Sequence, residues 1–568
     1  MTSTSPEREP DLSDPTNLPL FASTAPAKPS TRALAGPGGG GKRSGRRNRQ
    51  GGGVGSRLHA APQDQLPATP DAALPGEPRS KEPVARGQAG LFDDIDWGTV
   101  YEIREQVAEQ LRSHLEGSTL NIGMHADLVH DLISTQIDRR REDAALNGRE
   151  WLTTNDRERL AKATLDAMFG MGRLTAVLEL EGLENVEIRG YDNTTLLFGD
   201  GRVEPGPQIA DSDEALLREI QLLAQSAPTG EKSFTQTSPS LEMMLPDGSR
   251  MSASGWYTAR PSITIRKHRF VDVDLDDLYA MGMISHPMRA FLGACMQSGK
   301  TVIVSGVPGS GKTTLTRGLI NELDPLVALA TIESMFELQL HRMTKHPHPR
   351  TWATEAQEGG GDLLSNGRRA GEVPMSTLIQ RALRHNVDRI IVGEVLGPEV
   401  MAMMQAMQAS KASLSTIHAT SASDTVERLV SCIMNPENGQ ATPDYAYREV
   451  ATHINLILFV DVIDETHLIT NVDGERRHGR KHRFVSEIAF LGTSDDAKRG
   501  ISIEALFAPD NTGRGVPTGA EPTWIHDLVP FGFDRSLLDP NRGSQNDWAT
   551  PMQTVLDYSE RYHTRRGR

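Results

Sequence analysis

Apolar residues recur every three or four positions between 91 and 170, the spacing of helices packed on one another. Val100, Ile103, Val107, Leu111 and Leu115 share one helical face, with Asp96 placed to cap it. Leu128, Leu132, Ile133 and Ile137 repeat the pattern, ending at Arg139-Arg140-Arg141, which reads as a solvated face. A further helix is predicted from Asp156 to Phe169, so 91–170 reads as a small helical bundle. The period then shortens to two. Val186, Ile188, Leu196 and Phe198 lie in alternating runs split by Tyr191-Asp192-Asn193 and Gly199-Asp200-Gly201, the pattern of a hairpin. A helix from Leu216 to Ala224 and strands within Leu241–Met251 and Ile263–Arg266 follow, with Pro246-Asp247-Gly248 as a turn. Residues 171–268 are predicted to form a small α+β domain.

An aspartate-rich linker, 269–286, leads to a third pattern over 287–508. Short apolar runs alternate with helical segments: Thr301–Val304, the helix after Thr313, Val327–Ile332, Met375–His385, Arg389–Val392, Glu399–Gln408 and Leu414–Ile417. Such alternation predicts a mainly parallel sheet covered by helices. The stripe Val400, Met403, Met404 and Met407 reads as core. Beyond Asn435 the chain is strand-rich, with Ile454–Val462, Leu468–Val472 and His482–Leu491 closing the sheet. Residues 509–568, rich in Pro, Gly and Asp, read as a partly ordered tail.

Composition changes this picture at the start of the chain. Residues 1–90 hold few large apolar side chains and cannot bury enough surface to offset their ordering entropy, so they read as disordered. The basic cluster Lys42-Arg43-Ser44-Gly45-Arg46-Arg47-Asn48-Arg49 within them reads as a solvated linker or as an electrostatic tether. The net charge of −15 argues against non-specific nucleic-acid binding. Two cysteines, Cys295 and Cys432, suit a reducing cytoplasm and exclude a four-cysteine zinc site. No apolar run reaches the ~18 residues of a membrane span. The first residues lack the basic and apolar regions of a signal peptide.

The chemistry centres on Gly306-Val307-Pro308-Gly309-Ser310-Gly311-Lys312-Thr313-Thr314, a Gly-x-x-x-x-Gly-Lys-Thr loop between a predicted strand and a predicted helix. Glycines let backbone amides turn toward phosphates, and the helix start adds a partial positive charge. Lys312 is expected to reach the β and γ phosphates of ATP and Thr313 to hold Mg²⁺. Arg389–Val392 leads to Gly393-Glu394, so Glu394 would hold Mg²⁺ through water or polarise the attacking water. A second carboxylate pair sits at Glu333 and Glu337. Glu333 ends the strand before it, and His418 ends Ser415-Thr416-Ile417. Strand ends of this kind converge at the carboxyl edge of an open sheet, where ligands bind.

This set resembles the type II/type IV secretion ATPases, most closely the CpaF-type pilus-assembly branch. The likeness covers about 95–490 and rests on Gly306–Thr313, Glu333–Leu338, Gly371-Glu372-Val373, Leu383-Arg384, Asp388-Arg389, Gly393-Glu394-Val395 and Ser415–Ala419. Upstream, Leu245–Arg250 and Thr264–Lys267 resemble the family's amino-terminal domain. The resemblance implies a RecA-like phosphate-loop domain behind a small α+β, PAS-like domain. It implies a homo-hexameric ring, ATP with Mg²⁺, and domain motion driving pilus assembly or secretion. Catalytic positions are Glu394, Glu333, His418, Arg266 and Arg250, the two arginines approaching the phosphates. The expected location is the inner face of the cytoplasmic membrane, reached through inner-membrane platform proteins, with no direct nucleic-acid binding. Ser334, Leu396, Thr420 and Ser410-Lys411-Ala412 depart from the family pattern. A DNA-translocating ATPase of the same core and a non-catalytic ATP-binding regulator are the alternatives.

Overall fold

The computed structural model describes residues 95–115, 125–148, 153–169, 171–225, 232–268, 270–357, 359, 364, 369–395, 397, 399–409, 413–435, 441–472, 475–493, 500–542 and 547–556. The segment 1–90 with its basic cluster, Leu396 and Ser410-Lys411-Ala412 lie outside the described residues. All of the described residues fall in one compact unit.

Helices α1 (Trp97–Leu115), α2 (His125–Leu146) and α3 (Thr154–Phe169) form the bundle. Asp96 accepts the Gly98 amide at 3.0 Å and the Thr99 hydroxyl at 2.7 Å, which starts α1 where the sequence places its cap. Val100, Ile103, Val107 and Leu111 bury in one cluster with Val129, Ile133 and Ile137. The bundle meets the next layer through polar contacts. The Tyr101 hydroxyl donates to Glu219 at 2.7 Å, and Arg173 lies 5.0 Å over the Trp97 ring.

That layer holds α4 (Arg173–Leu178), β1 (Leu183–Arg189), β2 (Thr194–Phe198), β3 (Val203–Pro205), α5 (Asp213–Gln225), β4 (Ser240–Met244), β5 (Arg250–Ser254) and β6 (Ser262–Arg266). The six strands pair antiparallel in the order β3-β2-β1-β6-β5-β4. Alternation sends Val186, Ile188, Leu196, Met251, Ile263 and Ile265 into one core with Leu216 and Ile220 of α5. The opposite phase leaves Arg250 and Arg266 on the other face, directly opposite one another across β5 and β6.

The aspartate-rich linker is not extended throughout. It contains α6 (Leu275–Ala280), begun by a capping box in which Asp274 accepts the Asp277 amide at 2.8 Å and Asp277 the Asp274 amide at 3.2 Å. The run of aspartates that reads as a linker thus includes the cap and first turn of a helix.

The third region contains α7 (His286–Ser298), β7 (Val302–Gly306), α8 (Lys312–Ile320), β8 (Leu329–Glu333), β9 (Thr351–Glu355), α9 (Met375–Ala382), β10 (Arg389–Val395) and α10 (Val400–Ala409). It continues with β11 (Leu414–His418), α11 (Ala422–Ile433), α12 (Pro443–His453), β12 (Leu456–Asp464), the hairpin β13 (Ile469–Val472) and β14 (Glu475–His478), β15 (Lys481–Thr493), β16 (Ile501–Pro509) and β17 (Gly515–Pro517). Nine strands form one sheet in the order β17-β16-β15-β12-β7-β11-β10-β8-β9. From β12 to β9 every pairing is parallel, and β15, β16 and β17 extend the sheet antiparallel. Strand β7 runs at its centre and feeds both cores. Val302 and Val304 pack with α7 and α8, while Ile303 packs on the other side with α10, α11 and α12. The methionine stripe of α10 is core, with Met403 and Met404 no more than 1% exposed. Among the described residues, no helix is long and apolar enough to cross a membrane.

The end of the chain differs from the expected tail. Its described residues 515–542 and 547–556 include 3-10 turns at Ile525–Phe531 and Arg535–Leu538. Ile525, Leu528, Phe533 and Leu538 are buried in the same cluster as α7. Phe533 meets Phe291 edge-on at 5.5 Å. Lys300 pairs with Asp527 at 2.7 Å and sits 4.5 Å over the Trp524 ring. Short 3-10 turns carry no helical period, so Pro, Gly and Asp dominate the sequence pattern there. Phe533→Ala should therefore destabilise the fold by about 3 kcal/mol, the scale of an emptied aromatic site. Urea unfolding measures this, and a change below about 0.5 kcal/mol would place the segment outside the core.

Candidate functional site

The phosphate loop joins the end of β7 to the start of α8. Gly306 closes β7 at φ 154°, and a Cβ there would lie 2.3 Å from the Val460 carbonyl, so only glycine lets β12 pass this close. Gly311 takes φ 98° as the N-cap of α8 and presents the helix start to the loop. Lys312 and Thr313 open that helix. The Lys312 ammonium donates to the carbonyls of Gly306 at 3.2 Å and Val307 at 3.4 Å and lies 3.0 Å from His418 Nδ1. His418 Nε2 is in turn 2.7 Å from Glu394 Oε1. A lysine from the helix that follows β7, a histidine that ends β11 and a carboxylate of β10 are thus in contact, and the three strands are consecutive in the sheet.

These groups line a cavity of about 390 Å³ that the region of the nine-stranded sheet and the small domain build together. Pro308, Gly309, Gly311, Lys312, Thr313 and Thr314 form its floor. Gly306, Val307 and Ser310 lie beneath, the first two as acceptors for Lys312. Arg250 and Arg266 enter from the small domain, so both sequence-predicted arginines reach the site. Two like charges directly opposite on neighbouring strands repel, so the pair calls for an anion between or beside it. Glu337 supplies one, meeting Arg250 at 2.6 Å. Toward the linker the wall turns apolar, with Phe270, Leu278, Met281 and Met283. A basic end and an apolar end in one cavity of this size fit the phosphates and the base of a nucleotide.

Glu333 is placed differently from the expectation. It is 2% exposed and does not line the cavity. Its Oε2 accepts the amides of Glu337 at 2.8 Å and Leu338 at 2.7 Å, so it fixes the segment after β8 from below. The carboxylate that reaches the cavity is Glu337, which also accepts from Thr313 Oγ1 at 3.4 Å. The strand-end rule selected Glu333. The chain turns after β8 and brings the other member of the pair to the surface of the site.

The sequence reading also missed Arg317, His268, Lys481 and Arg483, which line the same cavity. Arg317 falls within the loop's own helix, where a basic residue reads as exposed. Lys481 and Arg483 lie in a basic run on a late strand, and only the sheet order brings that strand near the loop.

Burial sets the electrostatics. It pushes Lys312 down to about 8, against the pull of Glu394 and Glu337. It pushes Glu333 up to about 7, against the two amides that Oε2 accepts. His268 falls to about 4, through burial first and the positive charge of Arg317 second. Burial works to raise Glu337, but Arg250, His268 and Arg266 outweigh it and hold the carboxyl below its ordinary value. The site is therefore a cationic cradle with ionised Glu337 at its edge. Thr313, Glu337 and Glu394 offer oxygen ligands of the kind a hard divalent cation takes.

Strand, glycine loop and helix, with a strand-end carboxylate and histidine beside them, define a phosphate-loop nucleotide-binding fold. Residues 228–483 match the family described as Type II/IV secretion system protein. The type IV secretion system protein PtlH of Bordetella pertussis is 34% identical over 173 residues, 30% of this chain and 48% of PtlH. VirB11 of Brucella suis is 27% identical over 316 residues, 50% of this chain and 79% of VirB11. The crystal structure of the VirB11 ATPase from the Brucella suis type IV secretion system, in complex with sulphate, is 21% identical, covers 56% of this chain and 95% of that one, and gives a TM-score of 0.28. The chain spans about half the length of the first curated relatives it matches.

The depressed Lys312 value carries a sign. Protonated Lys312 is disfavoured by folding, fully so below about pH 8 and not at all above about 10.5. Lys312→Met should therefore melt above the parent at pH 7, with the gap closing as pH rises from 8 to 10.5. An equal or lower melting temperature at pH 7 would show that the Lys312 contacts outweigh its burial.

Proposed function

We propose that this protein is an ATP-hydrolysing motor of a pilus-assembly or protein-secretion machine, of the CpaF type, working as a hexameric ring at the inner face of the cytoplasmic membrane. The observation that carries the reading is the single cavity in which Lys312, Thr313, Glu394 and His418 of one domain face Arg250 and Arg266 of another. In this reading the Lys312 ammonium and the loop amides hold the β and γ phosphates of ATP. Thr313 and Glu394 hold Mg²⁺. Glu394 orients the attacking water, and His418, in contact with both Lys312 and Glu394, keeps the two apart and in register. Arg250 and Arg266 offset charge on the phosphates from the small, PAS-like domain, so turnover depends on where that domain sits. Glu333 acts one step back by fixing the Glu337 backbone. The acidic chain reaches the membrane through inner-membrane platform proteins of the machine, with no direct nucleic-acid contact.

Lys312→Ala is expected to abolish turnover and weaken ATP binding sharply, because no neutral side chain replaces a charge-assisted contact in a closed site. Glu394→Gln should keep ATP binding and lose about 10²-fold or more in kcat, the scale of a general base. If Glu394→Gln turns over like the parent while Glu337→Gln is inactive, the base is Glu337. The Arg250→Ala, Arg266→Ala double variant should lose about 10²-fold in kcat with unchanged melting. Parent-like turnover there would remove the small domain from the chemistry. Light scattering with ATP and Mg²⁺ should give a mass near six chains, and a strictly monomeric species would count against the ring.

A further inference from the structure

Among the described residues, two ion pairs join the small domain to the ATPase region around the cavity, and they have opposite polarity. In one the small domain supplies the cation, Arg250, to Glu337. In the other it supplies the anion. Glu184 of β1 accepts Nη2 of Arg483, from β15, at 2.7 Å. The same guanidinium donates through Nε to the carbonyl of Gly309, inside the phosphate loop, at 2.9 Å. Gly309 stands at φ 75° with open space where a side chain would be, so no packing of its own fixes that peptide. The Arg483 guanidinium presents Nε and Nη2 at a fixed spacing, one to each partner, whereas an ammonium offers its three donors from a single atom on a flexible stem and fixes no such spacing.

Resting on the nucleotide reading above, we propose that Arg483 is a positioning residue that holds the Gly309 carbonyl of the phosphate loop and the Glu184 carboxylate of the small domain together, so that the loop's affinity for a nucleoside triphosphate follows the placement of that domain. The sign of the Glu184 effect separates this from plain charge. Glu184 is an anion lining a cavity for a polyanion. By Coulomb repulsion alone its removal strengthens ATP binding. By the clasp its removal weakens binding, because Arg483 loses the partner that orients it toward Gly309.

The test uses the full chain and four variants: Glu184→Ala, Arg483→Ala, Arg483→Lys and the double Glu184→Ala, Arg483→Ala. Each is checked for parent-like melting, with Glu184→Gln replacing Glu184→Ala if the latter melts early. Two quantities are measured: the Kd of ATP with Mg²⁺, and amide hydrogen exchange over 306–311 without nucleotide. Glu184→Ala should bind ATP about fivefold more weakly or worse, the lower end of coupling between sites. It should also exchange faster over the loop. The double variant should match Arg483→Ala alone, and Arg483→Lys should fall with Arg483→Ala and not with the parent. Tighter or unchanged ATP binding in Glu184→Ala, or losses that multiply in the double variant, would overturn the clasp. If the parent binds no ATP, the nucleotide reading fails by itself. The exchange arm then decides the clasp, with unchanged loop exchange in Glu184→Ala overturning it and faster exchange shared by the double variant supporting it.

Discussion

One buried guanidinium holds the parts of the nucleotide site in register. Arg317, in α8, is 2% exposed. It donates to the carbonyl of Leu338 at 2.9 Å, to that of Phe270 at 2.5 Å, and to that of Glu337. These carbonyls belong to the segment that carries Glu337 and to the linker that leads to the small domain. The donor belongs to the helix that carries Lys312 and Thr313. Burial pushes Arg317 down to about 10, with Glu333 and Glu337 opposing it. Moving these carbonyls away would leave a buried charge short of acceptors, at a cost of about 3 kcal/mol or more. The floor, the acidic edge and the entrance of the cavity are therefore tied to one side chain.

Local pattern was enough for much of this. The loop Gly306–Thr313 carries its own strand and helix on either side, and Glu394 and His418 each follow a short apolar strand. Such signals lie within about ten residues of one another, the range over which period and turn chemistry act. The bundle and the small domain were legible for the same reason, since Val100, Ile103 and Val107 or Val186 and Ile188 declare their period directly.

What was not legible depends on strand order and on long-range packing. Nothing near Arg483 marks it as a neighbour of the phosphate loop. That follows only once β15 is seen beside β12 and β12 beside β7. Glu337 in place of Glu333 is a matter of how the chain turns after β8. Arg317 looks like any charged helical residue until the linker and the Glu333–Leu338 segment close over it. Helices α6, α11 and α12 are absent from the sequence reading, yet each has a side-chain cap, from Asp274, Ser421 and Thr442. In those three cases capping chemistry was the better guide than polarity.

The packing of the chain's end against α7 bears on how the protein is made. Lys300 and Asp527 are 227 residues apart in sequence, and Phe291 waits slightly longer for Phe533. At synthesis rates of about 5–20 residues per second, that is a delay of roughly ten to fifty seconds. Until that segment is made, one face of α7 lacks its cover, although the phosphate loop that follows α7 was made long before. The nascent chain therefore carries an exposed apolar face around Phe291 that must be kept from other chains until residues 525–538 have been made.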